Sequence, residues 1–378
     1  MEKYFRPKKN ISVLKKLRLS GFKSIATNEF AQTITFDDIN IIIGPNGSGK
    51  TNLISFFKML NHMMTGALQT YIGKNGTSEN LLFFGSKKTP ILSASLEFQT
   101  DNNTDIYDFS LVKSIQDTLI FSEERITWNG KTIPLSGGQR ESFLLSDELE
   151  PAPRIVKSLL TKCRVFQFHD TSETAHIRNS CDINNNHYLF HDGGNVAAIL
   201  YLLKNKKEYL AHYKRIVSFV RMVVPQFDDF VLEPQNLNEN YIRLRWKQKG
   251  ETEYVFGAEQ FSDGSLRFIA LATLFLQHPD LLPSVIVIDE PELGLHPQAI
   301  DILATMMRMA SENAQIIVAT QSARLLDSFT PEKIIVAEHD KKNNCSVYKR
   351  LSTEELSDWL EDYSLSELWE KNIFGGQP

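Results

Sequence analysis

The stretch Ile39-Asn40-Ile41-Ile42-Ile43-Gly44-Pro45-Asn46-Gly47-Ser48-Gly49-Lys50-Thr51-Asn52 decides the fold. An apolar run of strand length enters a glycine-rich turn, and a helix leaves it, with Leu53, Phe56, Phe57, Leu60 and Met64 at helical spacing. Glycines let successive backbone N–H groups turn inward as an anion cradle, and a lysine at this place reaches the β- and γ-phosphates of a nucleotide. A hydroxyl at the next residue suits Mg²⁺, and the helix adds its positive dipole end. Gly44, Pro45, Asn46, Gly47, Ser48, Gly49, Lys50, Thr51 and Asn52 are therefore candidate nucleotide ligands, and Thr51 is also a candidate metal ligand.

A nucleotide loop needs an acidic strand, and one arrives late. Ser284-Val285-Ile286-Val287-Ile288-Asp289-Glu290 is an apolar strand ending in paired carboxylates, where a parallel sheet presents its chemistry. Asp289 is the expected Mg²⁺ ligand, and Glu290 the expected base that polarises the attacking water. A further apolar strand, Ile316 to Ala319, ends in Thr320-Gln321-Ser322, which makes Gln321 a candidate γ-phosphate sensor. Just before the acidic strand, Phe261-Ser262-Asp263-Gly264 opens a long apolar helix. Ser262 is a good N-cap, and Gly264 lets backbone approach an anion.

With 378 residues, 42% hydrophobic and 23% charged, the chain can bury a large core. No apolar run reaches membrane-span length, and the start is too basic and interrupted for a secretory signal, so a cytoplasmic protein without a membrane partner is expected. Cys163, Cys181 and Cys345 are scattered, which argues against a disulfide framework or a zinc knuckle. The net charge of -5 hides an asymmetry: Lys3, Arg6, Lys8, Lys9, Lys15, Lys16 and Arg18 crowd the start, while acids dominate the stretch after Thr353.

Three segments are expected. Residues 1–164 form a lobe with the nucleotide loop and an antiparallel flap, in which Asn129-Gly130 marks a hairpin. In it Val13 to Leu19, Glu29 to Phe36, Ile91 to Phe98, Tyr107 to Val112 and Leu119 to Trp128 read as strands. Residues 165–257 form a helical and strand insertion, with a short strand Val165 to Phe168, helices near Asn195 to Lys204 and Tyr209 to Val224, and a strand Tyr241 to Trp246. Lys204, Lys206, Lys207, Lys214, Arg215 and Arg221 give these helices a basic stripe that suits a phosphate backbone or a solvated face. The histidines between His169 and His191 match no metal-ligand spacing. Residues 258–378 carry the capped helix, the acidic strand and the tail.

Ser262-Asp263-Gly264, then Asp289-Glu290-Pro291-Glu292 with Leu295-His296-Pro297, together with Gly44 to Asn52, resemble the RecF- and SMC-like branch of the ABC ATPases, including the ATPase part of OLD-type proteins. The resemblance implies an α/β, ABC-type P-loop NTPase with a mostly parallel core sheet, using ATP and Mg²⁺. It also implies a homodimer that sandwiches ATP, with Ser262, Asp263 and Gly264 of one head meeting nucleotide on the other. Phe22-Lys23-Ser24 resembles the family's N-terminal loop, which adds Lys23 and Ser24 to the nucleotide ligands. Gln321 stands where the family has a switch histidine; it can donate a hydrogen bond but cannot carry a proton, a departure that argues against fast turnover.

Leu135-Ser136-Gly137-Gly138-Gln139-Arg140 spells the ABC signature almost letter for letter. The chain after Arg140 is acidic and broken by Pro151 and Pro153, so a surface loop is expected there instead of a helix start. Heptads for an SMC arm are absent, and too little chain remains after the last strand for a TOPRIM domain, so the chain reads as an isolated head. Thr353 to Pro378 reads as an amphipathic acidic helix with Trp359 and Trp369, suited either to a partner surface or to packing on its own lobe. Its Leu-Trp-Glu-Lys and Gly-Gly-x-Pro ending resembles solitary bacterial ATPases encoded beside a small effector in phage-defence or toxin-like gene pairs. Two functions fit these features: an ATP-closed homodimer that restrains an effector protein, or a RecF-like repair factor that clamps DNA.

Overall fold

A computed structural model describes residues 13–100, 103–147, 149–251 and 253–376. The basic cluster at Lys3 to Lys9 lies outside the described residues, as does Pro378. The chain forms two compact units. The first comprises the described residues up to Val165, Ser284–Val287 and the described residues from Ala314; the second comprises residues 166–283 and 288–313.

The loop strand Ile39–Ile43 is buried along its whole length because it is central in a six-stranded sheet. The order across that sheet is Cys345–Arg350, Ile334–Asp340, Ile39–Ile43, Gln315–Thr320, Val285–Asp289, Cys163–Phe166. The loop strand pairs in parallel with both neighbours, Ile43 facing Thr320 on one side and Val336 on the other. The edge strand Cys345–Arg350 runs antiparallel to Ile334–Asp340. A run of isoleucines without alternation is what a strand covered on both faces requires.

The second six-stranded sheet of this unit is the flap. Its order is Gln32–Thr35, Val13–Ser20, Ile91–Thr100, Asn103–Lys113, Leu119–Trp128, Lys131–Ser136, with antiparallel pairing between every neighbouring pair. Asn129 and Gly130 both adopt positive φ, 50° and 73°, the two-residue turn whose twist matches the strands it joins. The loop helix Lys50–Met64 packs on the flap, with Phe56 stacked 6.5 Å from Phe109 and edge-on 5.8 Å from Phe22. Truncating such a core phenylalanine costs about 3–5 kcal/mol.

In the second unit, helices Val196–Asn205, Leu210–Val223, Asp263–Leu276 and Pro297–Ser311 pack in succession, accompanied by two three-stranded sheets.

Several elements depart from the sequence reading. Glu29 to Phe36 is a 3-10 turn, Asn28–Phe30, followed by a strand, Gln32–Thr35, since Asn28 sits at φ 57°, outside extended backbone. Pro151 and Pro153 start a helix, Pro151–Thr161, where a broken loop was expected; proline in the first turn gives up an N–H that has no partner there anyway. Tyr241 to Trp246 is two strands, Asn238–Ile242 and Arg245–Gln248, which join different sheets. The tail is two short helices, Thr353–Leu360 and Leu365–Glu370, and Leu356, Leu365 and Leu368 are buried. Trp359 stays 44% exposed.

Candidate active site

The nucleotide loop is shaped by close approach. A Cβ on Gly44 would stand 2.2 Å from the carbonyl oxygen of Ala337, and one on Gly49 would stand 2.2 Å from Ser346 Oγ, so both positions require glycine. Gly47 and Gly49 take φ of 81° and 108°, and Gly49 is the N-cap of the loop helix. Lys50 is buried, and its Nζ donates to the carbonyls of Gly44 at 2.5 Å and Pro45 at 3.0 Å. The ammonium thus lies over the turn it would share with a phosphate. Ser48 Oγ is buried and has no hydrogen-bond partner among the described residues, as expected of a donor shaped for an anion. Thr51 is exposed at the head of the helix. A glycine cradle, a buried lysine, an unsatisfied hydroxyl and an exposed threonine fit a nucleotide phosphate.

Asn52 and Ser24 join this loop. Asn52 Nδ2 donates to Ser24 Oγ at 2.7 Å, and Ser24 Oγ lies 2.6 Å from Ser346 Oγ. Lys23, at φ 49°, donates to Ser55 Oγ at 2.6 Å; burial, with Lys58 nearby, lowers its pKa. Lys23, Ser24 and Asn52 also line a cleft of about 630 Å³ with Asn75, Asn80 and Phe84, within the size range of small-molecule sites. The sequence reading passed over Ser346 and Tyr348. Tyr348 is buried and donates from its OH to the Gly49 carbonyl at 2.8 Å, holding the N-cap in place. Both residues lie almost 300 positions from the loop, and local pattern carries no signal for them.

At the same sheet edge, Thr320 pairs with Ile43, so Gln321 and Gly44 leave neighbouring parallel strands side by side. Gln321 is exposed, and Ser322 after it caps the short helix Ala323–Leu326.

In the second unit, Asp289 is buried, and Glu290 directly after it sits at φ 44°. A left-handed glutamate is strained by roughly 1–3 kcal/mol, a cost that clusters at functional positions. The Asp289 carbonyl lies 2.8 Å from His169 Nε2, and His169 Nδ1 lies 3.3 Å from Gln167 Nε2. Arg267 donates to the carbonyls of His169 at 2.9 Å and Leu293 at 3.0 Å, tying its helix to the backbone around the acidic pair. A Cβ on Gly264 would stand 2.5 Å from the Gly294 carbonyl. In the sequence, Gln167 and His169 read as part of a strand and its polar end, which hides their place beside Asp289.

Ser262 caps the helix Asp263–Leu276 by accepting from the Ser265 N–H at 3.2 Å. Phe261, one residue earlier, stacks 4.6 Å from Trp246, which also stacks 4.6 Å from Phe256. Arg178 bonds the carbonyls of Thr171 and Ala258, both at 2.8 Å, and Asp263 at 2.9 Å. The first turn is therefore anchored by aromatics and a guanidinium, while Ser262 and Asp263 remain exposed.

Leu135–Arg140 is different. Residues to Ser136 end the strand Lys131–Ser136, and the glycines turn back on the sheet: the Gly138 N–H donates to Phe121 at 2.6 Å, and the Phe121 N–H to Gln139 at 2.9 Å. Gln139 Nε2 donates to Glu124 at 3.1 Å. In the basic stripe, Lys204, Lys206 and Arg221 pair with Asp229, Glu208 and Asp228.

Residues 39–327 match the family described as "AAA domain, putative AbiEii toxin, Type IV TA system". The chain belongs to this family. The AAA-domain chain is also 34% identical over 122 residues to the chromosome partition protein Smc of Halothermothrix orenii, and 35% identical over 94 residues to that of Mycoplasma genitalium. These matches cover 31% and 24% of the chain but 10% and 9% of the relatives, so the match spans about a tenth of their length. Among solved structures, an Smc head bound to the C-winged helix domain of ScpA is 17% identical, with a TM-score of 0.63, covering 91% of this chain and 99% of that one. An Smc head with an extended coiled coil from Pyrococcus furiosus, bound to the C-terminal domain of ScpA, is 15% identical with a TM-score of 0.60, covering 93% and 99%. The chain thus has the fold of Smc heads, α/β with a mixed core sheet and an antiparallel flap.

Proposed function

We propose that the chain is an ATP hydrolase whose ATP-sandwiched homodimer works as a slow switch on a separately encoded effector in anti-phage defence. The observation that carries the hydrolase reading is the nucleotide loop, in which Lys50 is held over the turn and a buried Ser48 hydroxyl has no hydrogen-bond partner among the described residues. The loop N–H groups, Lys50 and Ser48 hold the phosphates, and the cleft at Asn52 and Phe84 takes the nucleoside. Glu290 orients and deprotonates water, and Gln321 donates to the γ-phosphate. Ser262, Asp263 and Gly264 meet the nucleotide of the second copy. The Thr51 hydroxyl and the Asp289 carboxylate each have the donor chemistry that would hold Mg²⁺, which would supply neutralisation of phosphate charge. The family description, with its toxin–antitoxin wording, supports the effector half of the reading.

The Smc relatives' designation as chromosome partition proteins favours a second reading, a DNA clamp. Against it, half of the basic stripe is engaged with acids of the same unit. Steady-state ATPase rates with and without duplex DNA, using Glu290→Gln as the blank, test both. A slow rate indifferent to DNA, abolished in Glu290→Gln while that variant elutes as an ATP-dependent dimer, is the expected result. Stimulation by DNA that weakens with salt would favour the clamp, since phosphate contacts release counterions. Undiminished turnover in Glu290→Gln would remove that residue as the base.

A further inference from the structure

The segment after the last strand returns to the nucleotide loop. Its helix Leu365–Glu370 is fixed by Leu368, which is fully buried, and by Ser366, whose N–H and Oγ donate to the two carboxylate oxygens of Asp327 at 2.9 and 2.7 Å. Asp327 ends the helix that comes after Gln321. The chain then turns through Gly375 and Gly376, both left-handed at φ 83° and 80°. The Gly376 N–H donates to Glu338 Oε1 at 2.7 Å, and its carbonyl accepts from Trp369 Nε1 at 3.1 Å.

These bonds place Gly376 against the start of the nucleotide loop. A Cβ on Gly376 would stand 2.9 Å from Val336 Cγ1 and 3.7 Å from Gly44 Cα, while one on Gly375 would stand 2.0 Å from Glu338 Oε1. A Cβ on Gly44 would in turn meet the Ala337 carbonyl. The Ala337 carbonyl thus leaves no room for a side chain at Gly44, and Gly376 lies within the reach of one added carbon from Gly44 Cα. The Gly44 carbonyl is the acceptor of Lys50 Nζ at 2.5 Å, so a shift of Gly44 passes directly to the phosphate lysine.

We propose that Leu365–Gly376 is a positioning element of the nucleotide site: Trp369 and Glu338 clamp Gly376 onto Gly44 and thereby fix the loop turn that holds Lys50. The proposal rests on the nucleotide reading above. It also gives the tail a task on its own lobe, and through Asp327 the same segment holds the stretch that carries Gln321. Any partner that draws the tail away would loosen both.

The test measures binding of a fluorescent ATP analogue, together with KM, kcat and thermal midpoint, in the full chain carrying Glu338→Ala, Glu338→Gln, Trp369→Phe or Gly376→Ala. Glu338→Ala and Gly376→Ala are expected to weaken nucleotide binding about tenfold and raise KM in step, with kcat at saturating ATP within about twofold of the parent. Glu338→Gln keeps a side-chain oxygen that accepts from Gly376 and is expected to restore most of the affinity. Trp369→Phe removes the indole donor while retaining the ring, so an intermediate loss is expected. Unchanged affinity in Glu338→Ala and Trp369→Phe with a lowered thermal midpoint would overturn the proposal and leave the tail as packing alone. Those two variants decide the matter even if Gly376→Ala does not fold. Lys50→Ala separates the levels: retained binding there would refute the nucleotide reading itself, whatever the tail variants do.

Discussion

Two stretches of this chain carry signature-like letters, Leu135–Arg140 in the first unit and Phe261–Arg267 in the second, and the backbone takes opposite courses through them. At Leu135–Arg140 the glycines end a strand and turn back to bond Phe121. At Phe261–Arg267 the serine caps a fourteen-residue helix, and the glycine lets that helix approach Gly294. The better match to the motif is the one without a helix to aim. A signature works by presenting backbone N–H groups at a helix start, so the cap and the apolar run behind it are more informative than the letters themselves.

The largest expected effect separates the two stretches directly. Ser262→Arg should block ATP-dependent dimer closure and reduce ATPase activity by roughly 100-fold or more, because it puts a bulky cation at the helix start where a second nucleotide would dock. Ser136→Arg should leave closure intact and activity within about twofold. Size-exclusion chromatography of both variants in a Glu290→Gln background reads closure without turnover. Loss of closure in the Ser136 variant alone would reverse the two assignments.

A smaller effect tests what the first stretch is for. Glu124 is 2% exposed and accepts from Tyr107 OH at 2.7 Å, Ser142 Oγ at 2.5 Å, the Phe143 N–H at 2.8 Å and Gln139. Glu124→Ala strands the buried hydroxyls of Tyr107 and Ser142, with the donors of Gln139 and Phe143, and should cost about 3 kcal/mol. The thermal midpoint should fall by roughly 5 °C or more, with ATP affinity unchanged. Lost affinity at a normal midpoint would mean that this turn takes part in nucleotide binding after all.

The same contrast marks what was legible in the sequence. The strand, loop and helix around Gly44 to Thr51 were, because their chemistry is local and glycine, lysine and threonine each have one use there. The Asn129-Gly130 turn was legible for the same reason. Pro151 and Pro153 misled because proline breaks a helix interior but starts a first turn, and sequence alone does not say which side of the boundary it occupies. Tyr241 to Trp246 misled because one continuous strand-like stretch serves two sheets. Tyr348 on Gly49 and Gly376 near Gly44 were beyond reach, since each brings together positions some 300 residues apart.

The smallest effect sharpens the role of Asp263 within the second stretch. Its carboxylate is 63% exposed and lies 2.9 Å from Arg178, whose other bonds go to the carbonyls of Thr171 and Ala258. Arg178 therefore stays in place without it, and an exposed ion pair contributes about 0.5 kcal/mol, with a similar amount from a negative charge in the first helical turn. Asp263→Asn should lower the thermal midpoint by about 1–2 °C, less so at high salt. A carboxylate also repels an incoming phosphate, so KM for ATP should hold steady or fall slightly. A rise of about tenfold would mean that Asp263 meets the nucleotide through its carboxylate and not through its backbone alone, and the second stretch would then be read by a side chain as well as by the helix start that Ser262 caps.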